Sequence, residues 1–151
     1  MKKWLCFGLL SLAFALASPV RSSAAEFSIA GGAFVSTSPS QTGGAVLLSS
    51  AASVPSLPIE VQGTILVPVT NQGGYAVTAE VRGLSGGGFG GAYIGGGLGI
   101  GVLSADRQYG PVLTLFVGKP VGPSTTIELR AYKGTRTNGT TAGFLGLRFT
   151  F

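Results

Sequence analysis

The sequence predicts an all-β protein, a closed eight-stranded antiparallel up-and-down transmembrane β-barrel. Three observations lead there. Strand-like runs alternate with turn signals eight times along the chain. Within those runs the apolar residues keep one parity and the polar residues the other, and the polar parity is sparsely charged. The final run, Thr141 to Phe151, places Leu145, Leu147, Phe149 and Phe151 on one face and Phe144, Gly146, Arg148 and Thr150 on the other.

The chain has 151 residues, enough for one domain. Residues 1–25 read as a cleaved secretory signal peptide and residues 26–151 as the barrel. Lys2 and Lys3 form a positive head, Trp4 to Ala17 an apolar stretch, and Pro19 with small residues leads to cleavage after Ala24 or Ala25. The apolar stretch is shorter than the roughly 20 residues of a spanning helix. Removing Lys2, Lys3 and Arg21 lowers the formal charge from +5 to +2, which takes away the main support for nucleic-acid binding. Cys6 lies inside the signal, too early for a lipidation site. The remaining chain has no Cys, His or Met, so it has no disulfide and no Cys or His metal site. What is left is rich in Gly and β-branched residues, too apolar for disorder and without a long helical pattern.

The strands are read in order. The first is Glu26 to Val35, followed by a polar turn from Ser36 to Thr42. The second, Gly44 to Ala52, alternates poorly. Two prolines turn the chain between Ser53 and Pro58. The third runs from Ile59 to Val69, and TNQGG at Thr70 to Gly74 is a hairpin signal. The fourth is Tyr75 to Leu84, with a turn at Ser85 to Gly88. The fifth is Phe89 to Leu103, and Ser104 to Tyr109 is a short polar loop. The sixth is Gly110 to Lys119, turning at Pro120 to Ser124. The seventh is Thr125 to Lys133, and Gly134 to Thr140 leads into the eighth. Asn138-Gly139-Thr140 matches a glycosylation sequon but reads as turn chemistry.

Parity decides between a soluble and a membrane barrel. In the third strand Ile59, Val61, Ile65, Val67 and Val69 oppose Glu60, Gln62 and Thr64. In the fourth, Tyr75, Val77, Ala79 and Val81 oppose Thr78, Glu80 and Arg82. In the seventh, Ile127, Leu129 and Ala131 oppose Glu128, Arg130 and Tyr132. A soluble barrel would stud its polar parity with Lys and Glu. Here that parity holds Gly, Thr and Ser, near-balanced Glu and Arg, and no mid-strand Lys. This suits a polar lumen of paired charges inside an apolar band. Most runs reach the roughly 9–11 residues of a tilted membrane strand, and unpaired backbone in lipid forces closure. An even strand number puts both termini at the periplasmic side. Phe149 and Phe151, with Phe27 nearby, are expected at that rim, and Tyr75, Tyr109 and Tyr132 at the other. A soluble secreted barrel remains an alternative.

The tract SGGGFGGAYIGGGLGIG, Ser85 to Gly101, has three readings. As a helix it has packing spacing at Gly91, Gly95 and Gly99. Ten of its residues from Gly86 to Gly101 are Gly, each costing about 1 kcal/mol against Ala in a helix. As a phosphate loop it matches G-x-G-x-x-G at Gly86, Gly88 and Gly91, with no strand–turn–helix context. As a strand it faces lipid with Ala92, Ile94, Gly96, Leu98, Ile100 and Val102, and lines the lumen with Tyr93 and an inward file of Gly91, Gly95, Gly97, Gly99 and Gly101. The file leaves room for long side chains from facing strands and eases curvature, or else borders a narrow polar path. Packing is the favoured explanation, since side chains fill small barrels.

Seven charged residues fall on the inward parity: Glu26, Glu60, Glu80, Arg82, Glu128, Arg130 and Arg148. Glu80 with Arg82, and Glu128 with Arg130, read as lumen ion pairs or as neighbours in a cross-strand network, because an unpaired buried charge is very costly. A solute path or gate is the alternative role.

The closing strand resembles that of bacterial outer-membrane β-barrels, whose terminal Phe and alternating apolar positions the assembly machinery reads. With the signal, the eight strands and the lumen charges, the chain resembles the small eight-stranded outer-membrane barrels: the OmpA transmembrane domain, OmpX-type and opacity-type porin-like proteins. The resemblance implies a monomer in the outer membrane of a Gram-negative-type bacterium. Its partners would be outer-membrane lipids and lipopolysaccharide, with periplasmic chaperones and the assembly machinery during biogenesis. It implies no cofactor and no nucleic acid. Enzymes of this architecture place His in their catalytic groups, and this chain has none, so no catalytic residue is assigned. The short outward loops argue against adhesin or receptor roles, and no peptidoglycan-binding domain is expected after the barrel. Two functions are left: a structural or interaction protein with a packed, salt-bridged lumen, or a narrow porin-like channel for ions or small solutes. A soluble secreted binding module is the third alternative.

Overall fold

The structure, a computed structural model, describes residues 25–37, 40–54, 57–71, 74–84, 91–103, 109–135 and 140–151. The expected signal, the loop around Asp106 and the sequon at Asn138 lie outside the described residues. Eight strands follow in sequence: β1 (Glu26–Thr37), β2 (Ser40–Ser53), β3 (Ile59–Val69), β4 (Tyr75–Leu84), β5 (Tyr93–Val102), β6 (Gly110–Pro120), β7 (Thr125–Gly134) and β8 (Thr141–Thr150). Each pairs antiparallel with its chain neighbour, and β1 closes the barrel against β8. The sheet therefore has no free edge. Closure runs from Ser36↔Ala142 to Ser28↔Thr150. It continues into the backbone bond from Phe151 N–H to the Phe27 carbonyl at 2.8 Å.

Two strands differ from the reading of the sequence. β1 and β2 extend through the expected Ser36–Thr42 turn until Thr37 faces Ser40. Polar side chains there leave the backbone ladder intact, because Ser and Thr on a strand do not interrupt its N–H and C=O groups. β5 begins at Tyr93 instead of Phe89. Gly91, assigned to the inward glycine file, lies before the strand at φ +78°. That left-handed conformation belongs to a turn, and glycine adopts it without steric cost. The glycine tract is a strand from Tyr93 onward, and the helix reading is overturned there.

Two strand prolines, Pro68 and Pro111, sit where a missing N–H is harmless. Pro68 lies beyond the point where β4 pairs with β3, at Leu66↔Ala76. Pro111 lies beyond the start of the β6–β7 ladder at Val112↔Gly134. Proline is tolerated at such strand ends.

Side chains divide as the parity reading anticipates, with apolar residues outside. Ile94, Leu98, Leu115 and Leu129 are 70%, 64%, 69% and 53% exposed, and the outward positions of the other strands carry exposed Val, Ile, Leu and Phe. The inside departs from a purely polar lumen in two ways. Phe34, Leu47, Leu66, Ala76, Val112, Ala142 and Phe144 form a buried apolar cluster. It fills the half of the barrel away from the termini. Tyr132, expected in an outer aromatic belt, belongs to that cluster and is buried. Its even position in β7 shares the inward face of Glu128 and Arg130, and a one-residue step is all that separates belt from core. Tyr75 and Tyr109 do meet each other edge to face, with ring centroids 6.0 Å apart.

Candidate functional site: the lumen charge network

All seven predicted charges point inward, and they gather into two ionic clusters. The first lies where β1 and β3 begin. Arg82 on β4 donates from Nε to Glu60 on β3 and reaches Glu26 on β1 at 3.5 Å. Antiparallel register brings Glu60 opposite Arg82. Arg82 therefore pairs across the strands with Glu60, and not with Glu80 two residues along its own strand, as the sequence reading had it; Glu80 pairs with Arg130 instead. Glu26 is half exposed at the mouth, with 54% of its side chain open.

The second cluster lies deeper. Arg130 on β7 donates from Nη1 to both Glu80 oxygens on β4, at 2.7 and 2.9 Å, and from Nε to Glu128 on its own strand. Glu128 also accepts from Arg148 on β8 at 3.1 Å. The side chains of Glu80, Glu128 and Arg130 are fully buried. Two carboxylates and two guanidiniums make this cluster formally neutral. That matters because burial of ions is tolerated only when partners and hydrogen bonds replace water.

Neutral residues of the same parity supply those further bonds. Glu80 accepts from Gln62 at 2.5 Å, Thr64 at 3.0 Å and Thr78 at 2.6 Å. Arg148 donates to Gln62 and Ser49, both at 3.3 Å. Gln62, Thr64 and Thr78 stood on the polar parity in the sequence, but nothing there singled them out as ligands of Glu80. Their contacts follow from the cross-strand neighbours Gln62↔Glu80 and Thr64↔Thr78.

Tyr93 joins the two clusters. The Arg82 guanidinium lies over its ring, 5.0 Å from the centroid. Its hydroxyl donates to Glu128 at 2.5 Å. Beside it, Phe116 packs edge to face at 6.2 Å and takes the Arg130 guanidinium over its own ring at 4.3 Å.

The glycine file makes these contacts possible. Tyr93 faces Gly118 and Phe116 faces Gly95 across β5 and β6. A Cβ at Gly118 would run into the Tyr93 ring, and one at Gly95 into the Phe116 ring. Gly97, Gly99 and Gly101 face the β4 backbone so closely that a Cβ would lie 2.7 Å from Glu80 Cα, 2.6 Å from Thr78 Cα and 2.8 Å from Ala76 Cα respectively. Tight curvature at the β4–β5 corner and aromatic rings thus take up the space beside the file. No free wall remains at these positions.

Leu145, Leu147 and Phe149 point outward from β8 and are half exposed, and Phe151 is 82% exposed. Among the described residues, no group of three or more His, Cys, Asp or Glu is placed to hold a metal.

No family model matches the chain, and no curated protein matches it. Among solved structures the barrel is similar to Neisserial surface protein A (NspA), with a TM-score of 0.64 and 17% identity over 85% of this chain and 98% of that one. At that identity the likeness is one of fold, a closed eight-stranded antiparallel barrel. It does not single out the OmpA, OmpX or opacity types.

Proposed function

We propose that this chain is a small integral outer-membrane β-barrel protein with a structural or interaction role and a sealed, salt-bridged lumen. The observation that carries this reading is the inversion of polarity. Exposed Val, Ile, Leu and Phe surround the barrel, while Glu80, Glu128, Arg130 and Arg148 lie buried inside it. In water such an outer surface would be an extended apolar patch of the kind soluble monomers avoid. In a bilayer it is the lipid-facing band of a membrane barrel. The soluble binding module loses its support on this point.

On this reading residues 1–25 direct export, and periplasmic chaperones and the assembly machinery deliver the chain, reading Leu145, Leu147, Phe149 and Phe151. The folded barrel sits as a monomer among outer-membrane lipids and lipopolysaccharide. It performs no catalysis and takes no cofactor.

The channel alternative needs an open path. Along the axis, the ionic clusters are bridged by Tyr93, and the apolar cluster around Phe34, Leu66 and Phe144 lies beyond them. These features support a closed interior. The test is planar-bilayer recording of the refolded barrel. Insertion without steady single-channel current is expected. A reproducible open conductance in the unaltered protein would overturn the sealed-lumen reading in favour of a narrow channel.

A further inference from the structure

Along the described strands, the outer face of the barrel carries two charged side chains, Lys119 and Lys133, while the Glu and Arg side chains all keep the inward parity. Lys119 closes β6 at the end of the barrel that holds the chain termini. Lys133 lies at the opposite rim, where it follows Ile127, Leu129 and Ala131 along the outward face of β7. A lysine in that place lays its stem on apolar surface and extends its ammonium toward the head-group layer.

Two threonines hold the ammonium in position. Lys133 Nζ donates to Thr141 Oγ1 on β8 at 3.1 Å. Thr141 is braced from β1: its N–H donates to Thr37 Oγ1 at 3.3 Å, and the Thr37 hydroxyl donates to the Thr141 carbonyl at 3.2 Å. The Thr141 oxygen that accepts from Lys133 carries a proton of its own, so an ammonium and a hydroxyl present donors side by side. One row nearer the middle of the barrel, the register runs Leu115, Ala131, Gly143, Val35 across β6, β7, β8 and β1. The two outer members stand tall, Leu115 69% and Val35 52% exposed, and the two between them are a methyl group and no side chain at all. Leu115 leans away from the gap, over Gly96, where a Cβ would lie 2.9 Å from its Cδ2. Val35 walls the other side, its Cγ2 3.4 Å from the place of a Cβ on Gly143. A shallow apolar trough thus lies directly below the paired donors.

We propose that Lys133 and Thr141 hold a phosphate of one lipopolysaccharide molecule, with an acyl chain of the same molecule lying in the trough over Ala131 and Gly143. The inference rests on the outer-membrane reading and adds a defined lipid site to it. Charge selects the head group: a cation on a face without Asp or Glu side chains attracts an anion, and the several oxygens of a phosphate accept from an ammonium and a hydroxyl together. The trough selects a lipid over a free phosphate, which would leave the apolar surface below it uncovered. Position selects the leaflet. The site stands at the rim away from the termini, the outer side of the membrane when both termini are periplasmic, and lipopolysaccharide is the lipid of that side.

The test is native mass spectrometry of the refolded barrel in detergent, with three probes: diphosphorylated lipid A, the same lipid A stripped of its phosphates, and inorganic phosphate. One diphosphorylated lipid A retained per barrel is the expected result, with the other two probes held more weakly. Lys133→Ala should weaken retention about fivefold, the effect of one basic side chain at a lipid surface. Ala131→Leu, which fills the trough, should weaken it as well, and Lys119→Ala at the other rim should leave it unchanged. Equal losses from Lys119→Ala and Lys133→Ala would overturn the site, because the attraction would then belong to no particular place. Equal retention of the stripped lipid would overturn the phosphate contact, and inorganic phosphate bound as well as lipid A would overturn the trough. Barrel dimers that exclude lipid A would give the surface to a second copy and overturn the proposal too. The heat-shifted band of each variant checks that it is folded. A barrel that folds in detergent and retains no lipid A sinks this site alone, whereas a chain that folds and stays soluble without detergent sinks the outer-membrane reading with it.

Discussion

Replacing Glu128 by Gln removes the hub of the deeper cluster while keeping its shape. In the folded barrel Glu128 accepts from Arg130 Nε, from Arg148 at 3.1 Å and from the Tyr93 hydroxyl at 2.5 Å. Arg130 keeps Glu80 as a partner. Among the described residues, Arg148 loses its only ion pair and is left with Gln62 and Ser49. The variant therefore strands a buried cation. Breaking one side of a buried pair costs about 3–5 kcal/mol. With a urea slope of about 2 kcal/mol per M, the unfolding midpoint should fall by roughly 2 M. The assay is urea titration of the barrel in lipid vesicles, with the folded fraction read from its heat-shifted band on a gel. Glu26→Gln is the internal control. Its side chain is half exposed and its contact with Arg82 is 3.5 Å long, so solvent screening limits the loss to under about 1 kcal/mol. Equal midpoints for the two variants would refute the two-cluster account, because they would mean that Glu128 is no more deeply paired than a carboxylate at the mouth.

Other predictions test the packing. Gly99→Ala forces a Cβ against the Val77 carbonyl and Thr78 Cα, an overpacking worth about 1–3 kcal/mol or more. Gly31→Ala, whose Cβ meets nothing within 4 Å, should stay within about 0.5 kcal/mol of the parent in the same titration. Tyr93→Phe keeps the ring over Gly118 but deletes the bond to Glu128, and should cost about 1–3 kcal/mol. Phe144→Ala empties a fully buried position in the apolar cluster and should cost about 3–5 kcal/mol. An unchanged melting profile for it would mean that the apolar half of the lumen is not packed.

Strand number, order and inward charges were legible because a strand has a period of two. Glu60, Glu80, Glu128, Arg82, Arg130 and Arg148 each interrupt an apolar alternation, and that interruption names the face. Phe34, Leu47, Leu66 and Phe144 were not legible as lumen residues. An inward apolar residue makes no break in a hydrophobic run, and in β2 it erases the alternation altogether. Tyr132 was misplaced because it combines the aromatic type of a belt residue with the parity of a lumen one. The role of Gly97, Gly99 and Gly101 needed coordinates, since sequence shows a missing side chain without showing whether rings, backbone or open space lie beside it. Tyr93 as the bridge between clusters depends on register across β4, β5 and β7, which periodicity alone does not fix.

The central claim is that apolar residues face lipid and charged residues face a closed interior. Cell fractionation followed by electrophoresis with and without boiling tests it most directly. A band in the outer-membrane fraction that shifts on heating is the result this account predicts. A soluble band that migrates identically before and after boiling would contradict it, and would require the barrel's apolar surface to be covered by something other than a membrane.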